Sequence, residues 1–208
     1  MIRIFEGREA PGNNPILDDM YRARKTVFVD LLRWDVPVIA GKFEIDQFDD
    51  DRAIYIVASD SQGNHEGSIR LLSSDRPHIL GSIFPALCDG KVPVGPRIFE
   101  LSRLCLSRSL RARRRLEVRN ALATAIVQFA LHRGIGWYSC VADSNWLSQI
   151  LSLGWSARPL GIPQVIAGLP TGALLIQIDA DTPAKLDAAG TGVPMRITPI
   201  TSSLCEAV

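Results

Sequence analysis

Long apolar runs are missing from this sequence of 208 residues. No uninterrupted stretch reaches the ~18 residues that a membrane-spanning helix needs, and residues 1–7 carry charges where a signal peptide would be apolar. A cytoplasmic protein without a membrane role is expected. Charge of one sign is also missing: 23 Lys and Arg stand against 22 Asp and Glu, a formal charge of +1, so no overall field draws the chain to nucleic acid or a lipid surface. The four cysteines, Cys88, Cys105, Cys140 and Cys205, form no CxxC pair and have no histidine nearby, which argues against a zinc site or a disulfide framework and for reduced packing residues. The histidines, His65, His78 and His132, show no ligand spacing and read as surface or turn residues. No metal is expected, and no internal repeat is present.

What is there is the balance of an ordinary globular chain, with 47% hydrophobic and 22% charged residues, enough for one domain with a full core. Residues 1–5 alternate like a strand, and 17–32 repeat apolar side chains at three and four, with Arg24 on or beside the apolar face, where a charge needs a partner. Residues 33–51, acidic and without a period, read as a long ordered loop or a mobile cover. Two β-branched and apolar runs, 53–59 and 67–73, flank a Gly- and Asn-bearing connection and are expected to form a hairpin. Further strands are expected at 97–106, 137–142, 165–167 and 173–178. Helices are expected at 116–132, ended by Gly134, and at 145–153, ended by Gly154, with a helical turn at 79–84. This order predicts an α/β fold, a three-layer α-β-α sandwich around a mixed, mostly antiparallel sheet. The domain is expected to span 1–180, with 181–208 a tail that is partly disordered or loosely docked.

Two constellations carry chemistry. The first is Arg24, Phe28 and Trp34 followed by Asp46-Gln47-Phe48-Asp49; an arginine on an apolar helix face and two carboxylates three apart can satisfy one another and wall a polar pocket. The plainer reading is core aromatics and a solvated acidic loop. The second is Glu100, Ser102 and Arg103 in an apolar strand, with Arg70 closing an earlier one. Strict alternation puts Arg103 on the face of Leu101 and Phe99, and Glu100 and Ser102 on the other. Ser102 has no histidine beside it, so it reads as a binding group and not as a nucleophile.

Arg24, Phe28, Trp34, Asp46, Asp49, Arg70, Glu100 and Arg103 resemble, in order and nearly in spacing, the signature positions of the acyl-homoserine lactone synthases, the LuxI-type autoinducer synthases. The texts RxxxF, DQFD and ELSRL are all present. The resemblance covers roughly residues 1–178 and implies a GNAT-like (N-acyltransferase) fold. It also implies a reaction in which an acyl thioester acylates the amine of S-adenosylmethionine, which then closes to a lactone with loss of methylthioadenosine, yielding a quorum-sensing signal. S-adenosylmethionine is then a substrate, and no cofactor is implied. Residues 145–148, Asn-Trp-Leu-Ser, depart from the Met-Glu-Arg run of many relatives, in a region that shapes the family's acyl pocket.

By that resemblance Glu100 takes the amine's proton, directly or through a water, and N–H groups of residues 101–104 hold the oxyanion. Arg24, Asp46, Asp49 and Arg103 hold the sulfonium substrate and order the loop over it, with Arg70 in support. Phe28 and Trp34 form an aromatic wall, and Cys140 is a candidate for the acyl pocket. Between 103 and 119 the sequence sets Arg103, Arg108, Arg111, Arg113, Arg114, Arg115 and Arg119 against one acid, Glu117. This is either a solvated face or a dock for an acidic donor, acyl carrier protein or coenzyme A. One rival is a GNAT-type N-acetyltransferase using acetyl-CoA, but residues 107–115 lack the glycines of its phosphate-cradling turn. The other, a nucleic-acid or acidic-protein binding module, leaves Arg24, the DQFD loop and Glu100 unexplained.

Overall fold

The computed structural model describes residues 1–195. Strand β1 (Ile2–Glu6) leads into helix α1 (Pro15–Arg24), which Asn14 caps by accepting from the backbone N–H of Ile16 and Leu17, with Pro15 at the first position, where a missing N–H costs nothing. The expected helix then changes pitch: Lys25–Leu31 is π-helical. A two-strand hairpin, β2 (Val38–Ile39) and β3 (Phe43–Glu44), occupies the expected loop. Strands β4 (Ile54–Ser59) and β5 (His65–Ser73) form the expected hairpin, closed by Asp60, whose carboxylate accepts from the N–H groups of Gln62 and Asn64.

The short helix α2 (Ile79–Ser82) and a 3-10 turn at Pro85–Leu87 precede strand β6 (Ile98–Leu106). Helix α3 (Ala112–Arg133) starts four residues earlier than its apolar pattern, because its first turn is arginine without a side-chain cap, and ends on Gly134 at φ 67° as expected. Strand β7 (Trp137–Asp143), helix α4 (Ser144–Leu151), strands β8 (Ser156–Pro159), β9 (Gln164–Ile166) and β10 (Leu169–Gln177), and helix α5 (Thr182–Ala188) complete the order.

The eight-stranded sheet runs β1-β4-β5-β6-β7-β10-β8, with β9 beside β10. Every pairing is antiparallel except β6 with β7, which are joined by α3 as a parallel crossover. One face buries Ile56, Leu71, Leu101, Cys140 and Ile176 under Val118, Leu122, Ile126 and Phe129 of α3. The other packs Tyr55, Val57 and Leu72 against Leu17, Met20 and Tyr21 of α1. These are the three layers the sequence predicts.

Two irregularities in β6 position the site. Ser68 pairs with Cys105 and Arg70 with Ser102, so Ile69 alone faces both Arg103 and Leu104; Arg103 lies at φ 52° in this β-bulge. The β6–β7 ladder also runs only from Ile98↔Trp137 to Leu101↔Cys140, after which the strands part while β6 stays paired with β5 as far as Leu106 and β7 with β10 as far as Asp143. The sheet is therefore split by a wedge that starts at Ser102.

The tail is seated at least to Met195: Leu186 is buried in the α3 core, Val193 donates to Thr124 Oγ1, and Gln128 Nε2 donates to the Met195 carbonyl. The remainder of the expected tail, with Cys205, lies outside the described residues.

Candidate active site

The DQFD segment folds on itself before anything else touches it. Asp46 accepts from the N–H of Phe48 at 2.8 Å and Asp49 from the N–H of Asp46 at 2.9 Å, a carboxylate turn built from residues two and three apart. The two carboxylates then point at the sheet. Arg24 grips Asp49 with both terminal nitrogens at 2.8 Å and donates its Nε to Glu44 at 2.5 Å. Arg70 grips Asp46 at 2.6 and 3.1 Å, reaches Asp49 at 2.9 Å and donates its Nε to Ser102 at 3.1 Å. Arg103 closes the ring on Glu44 at 3.0 Å and Asp46 at 2.6 Å.

Three guanidiniums and three carboxylates thus interlock almost out of water, with side-chain exposures no higher than 9%. Tyr55 adds its hydroxyl to Asp49 at 3.0 Å. Burial alone would raise the Asp49 pKa, but Arg24 and Arg70 hold it well below the usual carboxylate range. Arg24 is pressed downward by burial, yet Asp49 and Glu44 carry it well above the ordinary guanidinium value. Any one partner removed leaves an uncompensated charge in the interior.

The strand-alternation expectation for Arg103 is overturned here. The bulge turns Arg103 back toward Ser102 and Arg70, so the side chains assigned to opposite faces meet in one network. Glu44, which bonds both Arg24 and Arg103, was missed; its only sequence signal is that it is one more carboxylate in an acidic loop.

Above Arg103 lie the aromatics. Phe28 and Trp34 stack at 4.8 Å and 16°, and the Arg103 guanidinium sits 5.5 and 5.8 Å from their centroids. The π-helical turn ends by giving the Phe28 carbonyl to the Trp34 N–H, with Arg33 at φ 59°. Phe28 is buried, whereas Trp34 is 41% exposed and supplies an open aromatic face.

Glu100 stands apart from the ion network. Its oxygens accept from Ile79 N–H at 2.7 Å and Leu80 N–H at 2.8 Å, the first turn of α2, and it is 1% exposed. Burial raises its pKa, and the backbone bonds with nearby His78 and Arg70 offset this only in part. A carboxyl so poised suits proton transfer. Cys140 is not brought to this group: it lies in the core on the α3 side of the sheet, its thiol pushed up to about 12 by burial.

The arginine run divides. Arg103 belongs to the network; Arg114 clasps Glu66 and Glu117; Arg113 meets Glu117; Arg115 bonds the Leu106 carbonyl and Arg119 the side chain of Asn120. Arg108, Arg111, Arg113 and Arg114 are exposed at the start of α3. Of the histidines, only His132 is at the surface: His65 is buried in β5 against Ser68 and His78 beneath α2, because a period-two strand and a helix start hide a lone polar ring from pattern reading. Among the described residues, no helix is long and apolar enough to cross a membrane, and no cluster of His, Cys, Asp and Glu is arranged to hold a metal.

Comparison with known proteins gives a consistent result. Residues 11–186 match the family model described as autoinducer synthase. An acyl-homoserine-lactone synthase of Ralstonia nicotianae is 37% identical over 176 residues, 82% of this chain and 86% of its own. The solved structure of BjaI, described as a CoA-dependent acyl-homoserine lactone synthase with SAM and isopentyl-CoA, superposes with a TM-score of 0.85 at 25% identity, covering 98% of this chain and 95% of that one. TofI, solved in a ternary complex with an inhibitor and MTA, gives 0.77 at 30% identity over 89% of this chain and 96% of its own. With the matched region spanning the ion network, Glu100 and the split sheet, this chain belongs to the autoinducer synthase family.

Proposed function

We propose that the protein is an acyl-homoserine lactone synthase, transferring an acyl group from a thioester to the amine of S-adenosylmethionine and lactonising the product. The observation that carries this reading is the gathering of the Arg24–Asp49, Arg70–Asp46 and Arg103–Glu44 network with Glu100 and the parted edge of β6.

The substrate's α-ammonium, with a pKa of about 8, must lose a proton to become a nucleophile. Glu100 is the base. As the C–N bond forms, the carbonyl π pair moves to oxygen, where N–H groups along residues 101–104 stabilise it. Collapse expels the thiolate, which takes up the proton that the nitrogen sheds as it becomes the amide. A methionyl carboxylate oxygen then attacks the γ-carbon, the C–S bond breaks toward sulfur, and methylthioadenosine leaves.

Arg24 and Asp49 saturate each other and are buried, so their role is to fix the loop. Asp46, Arg103, Ser102 and the Phe28–Trp34 stack, nearer the surface, meet the cationic substrate. The exposed Arg108, Arg111 and Arg113, with Arg114, Arg115 and Arg119, receive the donor's negative charge, whether acyl carrier protein or coenzyme A. S-adenosylmethionine is consumed as substrate, and its supply places the reaction in the cytoplasm.

Expression in a bacterium that makes no such signals, with mass spectrometry of culture extracts, tests the reading. Acyl-homoserine lactone made by the wild type supports the reading and extracts without lactone contradict it; loss of the product in Glu100→Gln supports Glu100 as the base, and an undiminished yield refutes that assignment alone.

A further inference from the structure

Helix α2 with the turn before it, and the irregular residues 92–95 that lead into β6, leave a groove of about 620 Å³ between them. None of its lining residues belongs to the ion network, the Phe28–Trp34 stack or the parted strands. His78, 3% exposed, forms its floor, and the exposed Asp75 and Arg76 stand at its rim.

The His78 ring is only half satisfied. Its Nδ1 lies 2.7 Å from the Arg76 carbonyl, which can only accept, so Nδ1 carries the hydrogen and Nε2 of the neutral ring presents a lone pair. That nitrogen has no hydrogen-bond partner among the described residues. A buried acceptor without a donor is costly and rare in a native fold. The ring is reached past Gly81: a Cβ at this position would stand 2.7 Å from Cε1 and 3.0 Å from Nε2 of His78, so only glycine leaves its edge uncovered.

The rim completes a recognition set. The Arg76 guanidinium and the Ser82 hydroxyl enter no hydrogen bond or ion pair among the described residues. Asp75 takes the Ser73 hydroxyl on one oxygen at 2.7 Å, which leaves its other oxygen unspent. Val92 and Val94, the latter 62% exposed, supply an apolar side. A cation, an anion, an unfilled acceptor and a hydroxyl beside an apolar wall suit a ligand that carries both charges close together and an apolar group besides.

We propose that this groove binds a zwitterionic α-amino acid with an apolar side chain, at a site separate from the acyl-transfer centre. The carboxylate pairs with Arg76 and Ser82, the ammonium donates to His78 Nε2 and Asp75, and the side chain lies along Val92 and Val94.

Nitrogen NMR of the full-length protein at pH 7.5 reads the site directly, because His78 is one of three histidines in the chain. L-leucine is the probe; N-acetyl-L-leucine, which lacks the ammonium, and L-leucinamide, which lacks the carboxylate, are its controls. L-leucine is expected to saturate at millimolar concentration and to move the His78 Nε2 resonance upfield as the lone pair gains a donor. Each control is expected to bind about tenfold more weakly, as is L-leucine to Arg76→Gln, a change at an exposed position. Gly81→Ala, whose methyl covers the ring edge, is expected to abolish the shift, and where that variant does not fold Arg76→Gln and the controls decide alone. The proposal is overturned if the His78 signal shows no saturable response to L-leucine, which would leave Nε2 to water alone. Controls that bind as well as L-leucine, or undiminished binding in Arg76→Gln, overturn it too.

Discussion

Replacing Arg24 with Met removes one of three guanidiniums from the buried network and leaves three carboxylates against two positive charges. Asp49 keeps Arg70 and Tyr55, and Glu44 keeps Arg103, so the loss is partial. Breaking such a pair costs about 3–5 kcal/mol, which at a urea m-value of about 2 kcal/mol per molar lowers the midpoint by roughly 1.5–2.5 M. Asp49→Leu removes the opposite member, and the double variant restores two charges against two. The double variant is expected to be at least about 2 kcal/mol more stable than the sum of the single losses requires.

Acid gives a second handle on the same pair. The Asp49 pKa is lowered in the fold, so its contribution is present above the unfolded carboxylate value of about 4 and is lost as pH falls below it. Without Arg24 that pKa is lowered less, so the stability gap between wild type and Arg24→Met narrows only as pH falls through the variant's own folded value, below ~4. Urea titrations of the four proteins at pH 7 read the coupling. Additivity within ~0.5 kcal/mol refutes the reasoning.

Three other perturbations address separate parts of the molecule. His65 is held neutral by burial, its pKa lowered to about 4 from 6.5, so its stabilisation is complete above pH ~6.5 and falls away toward pH 4, by about 3 kcal/mol; His65→Gln flattens that slope in urea midpoints taken between pH 7.5 and 4. Trp34→Ala, at a position 41% exposed, is expected to leave the melting temperature within a few degrees while raising KM for S-adenosylmethionine about tenfold, and an unchanged KM removes the aromatic wall. Reversing the exposed Arg108, Arg111 and Arg113 to Glu is expected to raise KM for the acyl donor and weaken its salt dependence without moving KM for S-adenosylmethionine, which initial rates from 50 to 300 mM salt decide.

The sheet and its layers were legible because their signals are local: alternation in β4 and β5, the Asp60–Asn64 turn, and the Gly134 stop of α3 each act within a few residues. The Asp46 and Asp49 carboxylates were legible as partners for a buried arginine from their spacing, whereas the turn that aims them was not. What escaped depends on partners far along the chain. A bulge has no period of its own, so the turn of Arg103 toward Glu44 and Asp46 was invisible to alternation. Glu44 acquires its place only when the short β2–β3 hairpin folds over α1, and the burial of His65 and His78 follows from what covers their elements. Helix α5 is about two polar, alanine-containing turns, held by Leu186 in the core with α3 and by Thr191 just beyond it, whose hydroxyl donates to the Leu153 carbonyl after α4, contacts no propensity records. The π-helical pitch after Arg24 likewise leaves an apolar spacing that reads as plain helix.

The most direct measurement is stoichiometry in a closed reaction of purified protein, S-adenosylmethionine and a series of acyl-carrier-protein and acyl-CoA thioesters, quantifying free thiol, methylthioadenosine and lactone by mass spectrometry. Acyl transfer followed by lactonisation yields the three in equal amounts with at least one donor; thiol released without methylthioadenosine, or no turnover with any donor, contradicts it.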